Sequence, residues 1–137
     1  MARKLIFLIE VKKDFLIATG LILELKGYKV MVSGKFQGPV KKILELENSE
    51  NPVDLIISDV PVSLLGKMGL IGISGKLQRK LPGILITDNT NRKTRQELEK
   101  KGFHVMEKPV EPEELLKKVR EVAGVGDRCR WRRPSGK

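Results

Sequence analysis

Val53-Asp54-Leu55-Ile56-Ile57-Ser58-Asp59-Val60-Pro61 is an apolar run, rich in β-branched residues, that stops on a carboxylate and a proline. A run that is apolar at nearly every position, rather than at alternate ones, fits a strand covered on both faces in a parallel sheet. Asp59 then stands at the carboxyl end of that strand, where open α/β sheets place their chemistry. Two similar runs lie downstream. Gly83-Ile84-Leu85-Ile86-Thr87 ends on a hydroxyl, and Phe103-His104-Val105-Met106-Glu107-Lys108 ends on a lysine immediately before Pro109.

Working outward, strand-like runs alternate with segments of helical period. Residues 5–9 form the first run. From Asp14, the positions Phe15, Leu16, Ala18, Leu21, Ile22 and Leu25 recur at three- and four-residue spacing until Gly27 supplies a stop. Residues 28–32 make a second strand, and Gly38-Pro39 opens a helix that Asn51-Pro52 closes. After Asp59, Gly66, Gly69, Gly72 and Gly75 punctuate a segment expected to be loop, then a weak helix ending near Lys80. A helix is expected over residues 94–101, ended by Gly102. The last helix follows Glu111-Pro112-Glu113-Glu114, whose carboxylates suit the positive end of a helix dipole. Five strands, each followed by a helix, predict an α/β domain with a doubly wound parallel sheet in the order 2-1-3-4-5 and helices on both faces. That topology would bring Glu10, Asp59, Thr87 and Lys108 to one rim.

With 137 residues, the chain suits a single domain over residues 1–123 followed by a basic tail, residues 124–137, expected to be disordered. Hydrophobic content of 40% with 32% charged residues is that of a globular domain, and no apolar run is long enough to span a membrane. Charges at Glu10, Lys12, Lys13 and Asp14 interrupt the amino-terminal apolar stretch before it could serve as a signal peptide, so a cytoplasmic location is expected. Cys129 is the one cysteine and cannot form an internal disulfide. Net charge is +10, with Arg128, Arg130, Arg132, Arg133 and Lys137 against Asp127 giving the tail +4 and leaving +6 for the body. Trp131 among those arginines could stack on a base, which keeps nucleic acid open as a partner. Asp59 could equally cap a turn, and Thr87 could bond backbone.

Over residues 3–123 the chain resembles the receiver domains of two-component response regulators. The residues that carry the resemblance are Glu10 after the first strand, Gly27-Tyr28 before the second, the stretch from Val53 to Asp59, and Lys108-Pro109 followed by Glu113-Glu114-Leu115-Leu116. The resemblance implies that Asp59 holds the place of the phosphoacceptor, modified by a histidine kinase. It also implies that Thr87 and Lys108 contact the phosphoryl oxygens and that the Lys108-Pro109 bond is cis. Magnesium would be held by Glu10, Asp59 and the Pro61 carbonyl. The chain departs from the pattern in three places: Val11 replaces the second metal-binding acid, Ser63 replaces a proline, and Val105 replaces the aromatic switch residue. A valine cannot ligate magnesium, which requires oxygen ligands in near-octahedral array. The expectation is therefore a stand-alone, degenerate receiver, not an enzyme, that contacts a signalling protein independently of phosphorylation or while only weakly phosphorylated. The alternatives are an orthodox magnesium-dependent phosphoacceptor and a nucleic-acid binder acting through the basic surface and tail. Dimers occur among receivers, and the sequence leaves the oligomeric state open.

Overall fold

The computed structural model describes residues 3–9, 13–33, 38–67, 69–88 and 91–124. Along these run β1 (Leu5–Ile9), α1 (Lys13–Leu25), β2 (Lys29–Ser33), α2 (Pro39–Glu47), β3 (Val53–Ser58), α3 (Val62–Lys67), α4 (Ile73–Leu77), β4 (Gly83–Thr87), α5 (Arg92–Lys100), β5 (Phe103–Glu107) and α6 (Pro112–Ala123). All strand pairs are parallel, and the sheet order is β2-β1-β3-β4-β5, as the alternation of elements predicted.

The core explains why β1 and β3 are apolar at almost every position. Leu5, Phe7 and Ile9 point to one face, against Ile43 of α2, Ile73 and Leu77 of α4, and Leu98 of α5. Ile6 and Leu8 point to the other, where Leu23 of α1 and Leu115, Val119 and Ala123 of α6 cover the sheet. In β3 the alternation is broken once. Val53 belongs to the first face and Leu55 to the second, because the pairing steps from Leu5↔Val53 to Ile6↔Leu55 and leaves Asp54 as an extra residue. Its carboxylate accepts the Leu5 backbone N–H at 2.8 Å. The polar residue inside an apolar run therefore marks a bulge.

Local chemistry sets the element ends. Gly27, at φ 96°, ends α1, and the Tyr28 N–H turns back to the Leu23 carbonyl at 3.1 Å. Asn91 caps α5 by accepting the Thr94 N–H at 2.8 Å, so this helix begins at Arg92 rather than at the expected residue 94. The segment after Asp59 differs from its expectation more. Residues 62–67 are already helical, the chain turns at Gly69, and a second short helix ends at Gln78 in left-handed conformation. Ser74 accepts the Leu81 N–H at 2.9 Å, and Arg79 makes two 2.7 Å hydrogen bonds to Glu47 and a third, at 2.8 Å, to the Val53 carbonyl. These bonds seat a crossover whose own helices are too short to hold their place alone. Among the described residues no helix is long and apolar enough to cross a membrane.

Candidate functional site

Asp59 is placed by backbone on both sides. Its N–H extends the β1–β3 ladder to the Ile9 carbonyl at 3.3 Å, and the buried Ser58 hydroxyl accepts the Val60 N–H at 3.1 Å. Val60 is itself buried in the core, so the chain turns tightly around Asp59 and leaves its side chain only 5% exposed. Strand β4 lies between β3 and β5 and ends on the half-buried Thr87, in register with Glu107. The Lys108 N–H donates to the Thr87 carbonyl at 2.8 Å, which continues the β4–β5 pairing by one residue, and the Lys108-Pro109 bond is cis. From there the Lys108 side chain passes the end of β4, and its ammonium lies 3.9 Å from Asp59 Oδ2. The structure thus brings Asp59, Thr87 and Lys108 to one rim of the sheet. Pro61 is exposed on the loop that follows. Glu10 and Val11 lie outside the described residues, as do Cys129 and the tail residues Arg128, Arg130, Trp131, Arg132 and Arg133.

Val105 is buried with Leu85, Leu98 and Phe103. Its carbonyl, on the outer side of edge strand β5, accepts a 3.0 Å hydrogen bond from Arg95, whose Nε also lies 3.6 Å from Glu99. Sequence reasoning missed Arg95. Its partner is a backbone carbonyl, which leaves no signature in residue types. His104 points to the opposite side, as strand alternation requires, and is exposed. Partial burial, then the nearby Lys118 charge, hold its imidazole below the ordinary histidine range.

The described oxygen donors for a dication are the Asp59 carboxylate, with one oxygen facing an ammonium, and the Pro61 carbonyl. Among the described residues no three His, Cys, Asp or Glu side chains gather closely enough to hold a metal. Among the described residues, Asp59, Thr87 and Lys108 give the rim a buried carboxylate, a hydroxyl and an ammonium.

No protein-family model and no curated protein sequence matches the chain. Solved structures do. The chemotaxis protein CheY4 of Vibrio cholerae superposes with a TM-score of 0.68 at 23% identity, covering 88% of this chain and 99% of that one. A CheY-like response regulator receiver domain protein from Methanospirillum hungatei gives 0.63 at 23% identity, over 88% and 93% of the two chains. This chain has the receiver-domain fold. The same fold likeness extends to a pilus assembly protein, CpaE, of Burkholderia thailandensis, at 0.66 and 18% identity over 88% and 98%.

Proposed function

We propose that this chain is a receiver-type signalling module that works by contact with a partner protein, without a phosphoryl-driven switch. The observation that carries this reading is Val105. A receiver reports events at its rim by moving a side chain between core and surface, and the residue at that place here is a short, branched, buried side chain with restricted χ1. It has no ring to swing outward. Arg95 holds its carbonyl from α5, so strand and helix are tied on the face where a signal would emerge.

The rim supports the same reading. Phosphoryl transfer depends on charge stabilisation of the transferring oxygens, which Lys108 and Thr87 could supply in part and a metal would complete. Val11 removes one acid from the expected metal set. The Lys108 ammonium already faces Asp59, at 3.9 Å, without a phosphoryl group.

Magnesium with beryllofluoride, a phosphoryl mimic, separates the two readings in amide NMR spectra of the full chain. Contact-only signalling predicts no saturable shifts at Asp59, Thr87 or Lys108. Saturable shifts that spread from the rim into β5 and α5, and that vanish in Asp59→Asn, would establish the orthodox phosphoacceptor instead.

A further inference from the structure

The two helical layers differ in charge. Helices α2 to α5 hold eight basic against four acidic residues, whereas α1 and α6, on the opposite face of the sheet, hold four basic against five acidic. Just beyond the helices, Arg79, Lys80 and Lys101 add three bases and Glu50 one acid to the first layer, against one base, Lys26, for the second. Two of its four helical acids pair with two of these bases, Glu47 with Arg79 and Glu99 with Arg95, which leaves the net excess unchanged. On α5 the residues pointing away from buried Leu98 are Arg92, Lys93, Gln96 and Lys100, all exposed. Exposed Lys67 and Lys76 carry the basic surface across α3 and α4. The layer is continuous: Gly66 of α3 and Thr94 of α5 line one groove, and Val40 of α2 and Lys76 of α4 flank Gly69.

We propose that this α2–α5 surface binds the phosphate backbone of a nucleic-acid duplex. Lysine and arginine suffice for phosphate contacts, and binding is driven by release of condensed counterions. A protein interface is commonly anchored by buried aromatic or apolar side chains, with arginine beside them, at the centre of the contact. On α2, α4 and α5, whose side chains are all described, no large apolar side chain is exposed; Leu21, Leu25 and Val32, which are, lie on α1 and β2. A single strand is gripped largely by stacking of its bases on aromatic rings. Residues 38–102, which contain the whole basic layer, include no Phe, Tyr or Trp. A duplex carries one phosphate charge about every 1.7 Å of axis. The outward stripe of α5, over its nine residues, can therefore meet several phosphates at once.

The test is fluorescence anisotropy of a labelled, mixed-sequence DNA duplex with the full chain over a range of salt. Two charge-reversed variants are compared, Lys93→Glu with Lys100→Glu on α5, and Lys117→Glu with Arg120→Glu on α6; all four side chains are exposed and the change in net charge is the same. The α5 pair is expected to weaken binding at least roughly tenfold at low salt and to lower the log–log salt slope by about 2, with the α6 pair within about twofold of the parent. Absent binding, or equal loss from both pairs, overturns the proposal, the latter because it would reflect only the overall charge of the chain. Tighter binding of a single strand than of the duplex overturns it in favour of a stacking site. Displacement of the duplex by polyglutamate at matched charge concentration overturns it in favour of an acidic protein partner.

Discussion

Lys108 reaches past the end of β4 to set its ammonium 3.9 Å from Asp59 Oδ2. That separation exceeds the range of about 2.7–3.2 Å for an N–H···O hydrogen bond, so the interaction is chiefly Coulombic. It matters because the carboxylate is 5% exposed, and a charge so enclosed depends on the charges and donors around it. Lys108→Met is expected to lower stability by about 1–2 kcal/mol, less than for a fully buried pair because the lysine is about one-third exposed. Asp59→Asn in the same background should recover most of that loss. A urea double-mutant cycle measures the coupling, and strictly additive losses would show that the two side chains do not interact. Asp59, Thr87 and Lys108 were legible in the sequence because each ends an apolar run just before a turn, and parallel strands deliver such ends to the same rim. Arg95 was not legible, since nothing in residue type links a helical arginine to a particular backbone carbonyl on the next strand.

Among the elements, β3 and β4 show how single residues set the sheet. Asp54 interrupts the apolar run of β3 and becomes the residue left over at the bulge, with its carboxylate on the Leu5 N–H. Gly83 opens β4 opposite Phe103, and a Cβ added there would lie 2.6 Å from two carbons of the Phe103 ring. Gly83→Ala is therefore expected to destabilise the protein by about 1–3 kcal/mol through overpacking, seen as a lower thermal midpoint. Phe103→Leu added to Gly83→Ala should cost less than the sum of the two single changes. An unchanged midpoint for Gly83→Ala would mean that the ring gives way freely. The four glycines from 66 to 75 signalled an interrupted crossover, yet not where its helices fall. Those positions are set by tertiary bonds, Ser74 to the Leu81 N–H and Arg79 to Glu47 and the Val53 carbonyl, which periodicity cannot register.

In the whole molecule, a five-stranded sheet is enclosed between α1 and α6 on one face and α2 to α5 on the other. Strands β1, β3 and β4 have neighbours on both sides, whereas β2 and β5 are edges. Native-state hydrogen exchange should therefore find the slowest amides in β1, β3 and β4 and the fastest among the helices in α3 and α4, which are 6 and 5 residues long. Uniform protection across all helices would contradict this order. The sequence by itself determined the strands, the crossover pattern and hence the sheet order, because hydrophobic period and glycine or proline punctuation are local properties that act over a few residues. It also marked the three residues of the rim and the valine at the switch position. Only the tertiary structure decided that the Lys108 ammonium faces Asp59, that Arg95 anchors the Val105 carbonyl, and that basic residues dispersed from Lys41 to Lys101 share one side of the sheet. Each of these depends on which distant segments meet in space, and that is fixed by packing across the sheet rather than by neighbours along the chain.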